Sequence, residues 1–456
     1  MNEIAKAAAS PTKAFFVRMI TRDITLEDCI FDLIDNSIDG AWKTEGSPPM
    51  TLEPHEGLSK YDIRIEADPN KFSILDNCGG MSLDQAVEYA FSFGRKIADH
   101  ADGYSIGVYG IGMKRAVFKL GNKIRIRSTY RDEHGGRHSF AVPIVVSKWI
   151  ENDEPPWDFD IDDDEPLEND GVEILVEDLN SGASEAFRNP SFLENLKRMI
   201  ARDYSLHMSG GLKVALNGES IRARPIELRK SDEFSPMRMS YEEQIDASKK
   251  VTVEIIGGMA ALPYDDNEPP EDRSRDRERI SGWYIACNGR IVLAADKTDV
   301  SGWGSDDLPS WHGQYTGFLG IVLFTSEDAE SLPLTTTKRS VDRTSVVYRR
   351  ALRPHMRDVS RAWIDYTNWR KQDLAEAKKK EAETRSIPIH QIQAQSSTKL
   401  PNLTVKPRQK MANVNYSVSR ERMKELAREL GNINMSYKDV GLRSFDYMYS
   451  DYVGED

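Results

Sequence analysis

Residues 25–41 read Thr-Leu-Glu-Asp-Cys-Ile-Phe-Asp-Leu-Ile-Asp-Asn-Ser-Ile-Asp-Gly-Ala, and no other stretch constrains the fold as tightly. Wound as a helix at about 100° per residue, the segment separates into two faces. Leu26, Cys29, Ile30, Leu33, Ile34, Ile38 and Ala41 form a broad apolar arc that belongs on a core. Asp28, Asp32, Asp35, Asn36 and Asp39 crowd into a polar arc. Asp32 and Asn36 are four apart, so they stack on adjacent turns and face the same space. Like charges on one helix face repel by a few tenths of a kcal/mol per pair, and a solvated outer face is their simplest use. The Asn among the carboxylates, and the motifs downstream, favour a site instead.

A chain of 456 residues, 39 % of them apolar, is expected to hold two or three domains with at least one sizeable core. Cys29, Cys78 and Cys287 are far apart and lack a CxxC partner, which argues against a disulfide framework or a zinc site and suits a reducing, cytoplasmic setting. No apolar run reaches bilayer-crossing length and the first residues lack a signal-peptide pattern, so no membrane partner is expected. The net charge of −13 is unevenly spread: 151–170 holds eleven acids and no base, whereas 338–410 holds eighteen Lys/Arg against seven Asp/Glu. A basic region of that kind is either a solvated helix face or a surface for nucleic acid.

Further along, 61–67 alternates as a strand with one buried face, and 71–75 reads as its antiparallel neighbour. That second strand runs into Asp76-Asn77-Cys78-Gly79-Gly80-Met81, a tight turn. Ser82 caps a short helix through 89, and 91–105 reads as a loop. Gly107-Val108-Tyr109-Gly110-Ile111-Gly112-Met113-Lys114 then leads into a helix; glycines so placed let backbone N–H groups approach an anion at a helix N-terminus. Strands are predicted at 123–129, 139–144 and 171–176, with a helix over 190–204. The Asp158-x-Asp160-x-Asp162 run lacks the Gly and Glu of a calcium loop and reads as an acidic surface segment. A second α/β domain is predicted to start with a strand at 212–218, followed by strands at 251–256, 282–286 and 319–324 and a hairpin turn at Asn288-Gly289-Arg290.

Asp32-x-x-x-Asn36, Asp76-x-x-x-Gly80 and Gly107-x-x-Gly110-x-Gly112 stand in one order, and the ordered set resembles the GHKL superfamily of gyrase, heat-shock chaperone, histidine kinase and MutL ATPases. In wording, 33–41 looks like MutL and gyrase, and 106–114 most like MORC proteins. The motif-level likeness covers about 15–180, and a weaker one continues to about 345.

The resemblance implies an α+β fold: a Bergerat-type α/β sandwich over 1–207 with an N-terminal arm, then a transducer-like α/β domain over 208–340. A long basic helix over 341–385, a linker over 386–412 and a small helical module over 413–456 complete the expected order. Within the implied site, Asn36 is the Mg²⁺ ligand, Asp76 accepts from the adenine amino group, and Gly80 and Met81 let the base lie on the turn. Gly107, Gly110 and Gly112 line the triphosphate with Lys114 counted among the nucleotide-binding residues, and 92–112 is the lid. Lys338, in a Thr-Thr-Thr-Lys loop, resembles the transducer lysine that reaches the γ-phosphate.

Two positions depart from the family pattern. Asp32 stands where hydrolytic members carry the Glu that orients water, and one methylene less predicts slow hydrolysis. Val172 stands after Gly171 where a Thr is common. The implied function is Mg²⁺-dependent ATP binding with slow hydrolysis, driving a clamp that is a homodimer when ATP-bound and acts on nucleic acid through 338–410. The alternative is a nucleotide-dependent binding module with little turnover.

Overall fold

The computed structural model describes residues 11–46, 57–92, 105–106, 110–152, 157–264, 275–305, 308–335, 337–401, 414 and 417–454. The chain forms two units, Met1–Asn402 and Leu403–Asp456.

The first unit begins with α1 (Lys13–Arg22) and α2 (Leu26–Glu45). Thr25 caps α2, its hydroxyl accepting from the Asp28 N–H at 3.2 Å, and Glu27 and Asp28 add negative charge to the first turn. The helix runs four residues beyond the predicted segment, because Trp42 extends the apolar arc and the first left-handed residue is Gly46. Strands β1 (Asp62–Ala67) and β2 (Lys71–Asp76) form the predicted antiparallel pair, with Ile65 opposite Ile74. Ser82 caps the short α3 (Leu83–Gln85) in a capping box with Gln85, and a wider π turn carries the chain on to Ala90. Next come α4 (Gly112–Leu120), β3 (Gly121–Arg131), β4 (Arg137–Val145), α5 (Val146–Glu151), β5 (Asp162–Asp163) and β6 (Gly171–Leu179). Helices α6 (Ser181–Arg188), α7 (Pro190–Asp203) and α8 (Ser205–Ser209) precede β7 (Lys213–Leu216) and β8 (Glu219–Ile221).

These strands make one sheet, ordered β5-β4-β3-β6-β2-β1-β7-β8 and antiparallel except where β7 runs parallel to β1. The alternation in β1 and β2 sends Ile63, Ile65, Phe72 and Ile74 inward to meet Ile30, Ile34 and Ile38 of α2 in one core. The predicted boundary at 207/208 is therefore corrected. The strand expected to open the second domain belongs to the first sheet, since Val214 and Leu216 bury their side chains beside Ile63 and Ile65.

The second part of this unit is a five-stranded sheet, ordered β10-β11-β14-β12-β13. Its strands are β10 (Met237–Gln244), β11 (Lys250–Met259), β12 (Gly282–Cys287), β13 (Arg290–Asp296) and β14 (Phe318–Thr325); β9 (Glu227–Lys230) pairs separately with β15 (Arg385–Pro388). The short α9 (Arg275–Ile280) precedes β12. Both sheet faces are covered, so β12 is buried at all six positions.

Two expectations fail here. The long helix over 341–385 is broken into α10 (Val346–Arg350), a π turn, α11 (Arg357–Arg370) and α12 (Leu374–Ala382). Arg353 is extended (φ −129°, ψ 119°) because the ring of Pro354 disfavours a helical residue before it and supplies no N–H. Val359, Trp363 and Tyr366 are core residues, as their spacing predicts. The linker over 386–412 is also structured in its first part: β15 pairs with β9, Ile387, Ile389 and Ile392 are buried, and Gln395 and Lys399 bridge to Arg238 and Ser235. Its remainder lies outside the described residues.

The second unit contains α13 (Arg420–Glu429) and α14 (Tyr437–Val453), capped by Ser419 and Ser436. Ala427 and Val440 are buried, while Phe445, Tyr449 and Tyr452 are exposed. Among the described residues, no helix is long and apolar enough to cross a membrane.

Candidate functional site

A cavity of about 240 Å³ opens between α2, the turn after β2 and the start of α4. It brings together Asp32, Asn36, Asp76, Gly80, Met81, Gly110, Gly112 and Lys338. Gly107 lies outside the described residues, as does most of the expected lid.

One wall is built around Asp76. The Ser37 hydroxyl donates to its Oδ2 at 2.6 Å, and the N–H groups of Cys78 and Val172 donate to Oδ1 at 2.9 and 3.1 Å. Burial pushes this carboxyl above the usual carboxylate range, against the pull of those three donors. The strands approach closely here: a Cβ on Gly171 would lie 2.0 Å from the Asp76 carbonyl oxygen. Gly80 has φ +75°, and a Cβ there would lie 2.1 Å from the Thr129 carbonyl oxygen. Met81 is fixed behind it, exchanging two 2.8 Å hydrogen bonds with the Ser128 hydroxyl. Val172 contributes its backbone to Asp76 and its side chain to the cavity, so the absent Thr hydroxyl leaves an apolar patch.

The floor is α2. Asn36 is the exposed residue between buried Asp35 and Ser37, and its side chain has no hydrogen-bond partner among the described residues. An amide oxygen standing alone suits a hard divalent cation whose other ligands are phosphate oxygens and waters. No group of three or more His, Cys, Asp or Glu able to hold a metal ion occurs among the described residues. Asp39 turns to the loop before α4, accepting from the Ile106 N–H at 2.7 Å.

Asp32 is buried at the far end. Arg115 of α4 donates to its Oδ2 from Nε at 2.7 Å and Nη2 at 2.6 Å. The Lys338 ammonium lies 3.3 Å from its Oδ1. Gly112 leaves room for this carboxylate, since a Cβ there would come within 3.2 Å of its carbon. Lys338 itself has φ +55° and is buried. Burial disfavours its charge, but Asp35 and Asp32 raise its pKa above the usual lysine range.

Lys114 is not brought to the cavity. Its ammonium is buried and donates to the carbonyls of Ala90 and Ser92 at 2.7 and 2.6 Å, which ties down the chain entering the lid.

Sequence reasoning missed the partners of the acidic arc. Asp28, Asp32 and Asp35 form one stripe at four- and three-residue spacing, and cations from beyond residue 280 reach all three. Asp35 is fully buried; Arg290 donates to its Oδ2 and Lys338 to the same oxygen at 2.8 Å, while the Tyr204 hydroxyl donates to Oδ1 at 2.8 Å. Burial works against the Asp35 charge, but Arg290 and Lys338 hold its carboxyl below the usual range. Arg339 pairs with Asp28 and lies 4.6 Å over the Phe31 ring. The spacing of the three aspartates was the readable signal; Arg290, one residue past an Asn-Gly turn, carried none.

The family model described as histidine kinase-, DNA gyrase B- and HSP90-like ATPase matches residues 24–158. No curated protein matches the chain. That match spans α2, the Asp76 turn and the start of α4, the elements that wall the cavity, so this part of the chain is similar to that ATPase family.

Proposed function

We propose that the protein binds ATP with Mg²⁺ in this cavity, hydrolyses it slowly, and uses the nucleotide to gate a dimeric clamp. The observation that carries the reading is the juxtaposition in one cavity of unpartnered Asn36, buried Asp76 and Lys338 from the second domain. Asn36 would hold the metal by its amide oxygen, and Asp76 would accept from the adenine amino group. The bound cation would neutralise phosphate charge. Asp32 would orient water, and Lys338 would stabilise charge at the terminal phosphate.

Slow turnover follows from how Asp32 is held. Both of its oxygens already face cations, and its side chain is one methylene shorter than the usual Glu. The same observation favours the second reading, a switch that retains ATP with little turnover. Dimerisation is supported by Phe15 and Met19, four apart on α1 and exposed at 59 % and 53 %. The likeness of 33–41 and 106–114 to MutL and MORC proteins agrees with a clamp. Arg349, Arg361 and Lys379 are exposed on α10–α12 and would be the nucleic-acid surface. Three free, buried cysteines suit a reducing cytoplasm.

The test is ATP turnover by the wild type, Asp32→Ala and Asn36→Ala. Turnover lost in both variants supports the assignment, and equal rates in all three overturn it. A wild type that binds ATP without measurable turnover selects the switch. Absence of nucleic-acid binding at low salt rejects the nucleic-acid branch.

A further inference from the structure

The buried cluster beneath the cavity holds two carboxylates, Asp32 and Asp35, and three cations, Arg115, Lys338 and Arg290. Lys338 is shared between the two carboxylates, and each also has a cation of its own: Arg115 for Asp32 and Arg290 for Asp35. Arg115 and Lys338 line the cavity; Arg290 does not. It comes from β13, is 2 % exposed, and lies 5.6 and 5.7 Å over the rings of Phe31 and Tyr204. Tyr204 completes the grip by donating to the second oxygen of Asp35.

This division has a consequence for any movement of Lys338. Taking one partner from a buried ion pair is strongly unfavourable when it leaves a charge uncompensated. Asp35 is fully buried, so without Arg290 the lysine could not leave it without that penalty. With Arg290 and Tyr204 in place, Asp35 stays satisfied whether or not Lys338 touches it. The cluster then carries one positive charge in excess, on a side chain that faces the cavity.

Resting on the ATP reading above, we propose that Arg290 is a positioning residue that compensates Asp35, so that Lys338 can transfer from Asp35 to the terminal phosphate of a bound nucleoside triphosphate. The second domain thus supplies both the lysine that moves and the arginine that releases it.

The experiment measures the affinities of the full chain for a non-hydrolysable ATP analogue and for ADP, with Mg²⁺, and takes their ratio. Arg290→Met should lower the preference for the triphosphate at least about fivefold while ADP binding changes less than about twofold. Arg290→Lys should keep the preference. The double variant Arg290→Met/Asp35→Asn should recover it, because position 35 no longer carries a charge that holds the lysine. A purely structural arginine would weaken both nucleotides together and would not be rescued by Asp35→Asn; either result overturns the proposal.

Circular dichroism establishes that each variant is folded. If Arg290→Met does not fold, Asp35→Asn alone decides. It should raise the triphosphate preference, and an unchanged or lowered one overturns the proposal. A wild type that binds neither nucleotide fails the ATP reading itself, which is a different outcome from a wild type that binds both while the variants show no change in ratio.

Discussion

Two regions of this chain are crowded with acids, and they use them in opposite ways. On α2, Asp28, Asp32 and Asp35 are buried, and each is met by a cation arriving from a distant part of the chain. In the acidic segment, Asp164 pairs with Arg125 and Arg127, and Asp170 with Arg131 and Arg137, along the rim of β3 and β4. The ion pairs are similar in geometry. What differs is water: Arg131 keeps 59 % of its side chain exposed, Arg290 only 2 %. Solvent screens the first set and leaves little net stability, whereas in the second a carboxylate stripped of its cations would stay uncompensated in the interior. A charge run in a sequence does not say which kind it is.

The contrast can be broken most forcefully at Asp35. Asp35→Ala should cost about 3–5 kcal/mol in urea unfolding, because it strands Arg290 in the interior and leaves Lys338 with Asp32 alone. A loss below about 1 kcal/mol would place this stripe in the same class as the surface one.

A pH titration separates the regions next. His207 lies in the same buried layer, beside Trp42 and Tyr204, and burial pushes its imidazole from 6.5 down to about 4. The unfolded chain takes up a proton first, so stability present above pH 6.5 should be lost as pH falls toward 4, by roughly 3 kcal/mol. His207→Gln should flatten that interval. Asp35, with its carboxyl held below the usual range, adds a further loss at still lower pH, which Asp35→Asn should remove.

Asp170→Ala should cost about 1 kcal/mol or less, and the cost should shrink further in 1 M salt, as expected of partly exposed pairs. The smallest effect on stability is expected one residue beyond Asp35. Asn36→Ala should leave unfolding within about 0.5 kcal/mol of wild type, since its side chain has no partner among the described residues. It should nevertheless abolish the rise in melting temperature produced by ATP with Mg²⁺.

Much of the first domain was legible because its signals are local. The 3.6-residue period of α2, the alternation of 61–67 and the Asp-Asn-x-Gly-Gly turn each act within a few residues, and Asn36, Asp76, Gly80 and Gly112 meet around one cavity. Lys338 was legible only through resemblance. Arg290 and Arg115 were not, because a buried cation is defined by what folds over it, and that lies 255 and 83 residues away in sequence. Lys114 misled for the same reason: its place after a glycine loop is local, while the Ala90 and Ser92 carbonyls that capture it are not. Pro354 is a different case. It stood in the sequence inside the expected long helix and carried the signal for the break that the structure shows.

The parallel pairing of β7 with β1 bears on how this protein is to be dissected. A fragment trimmed at residue 207 would uncover the backbone of β1 from Asp62 to Ile65, an open edge suited to pairing with other copies and to aggregation. Extending the fragment past Ile221 keeps that edge covered but still omits Arg290, Lys338 and Arg339, so Asp28 and Asp35 would lose those cations and Asp32 would keep only Arg115. An excised domain of that length would keep the surroundings of Asp76 and lose those of Lys338. The unit that ends near Asn402 keeps the site whole.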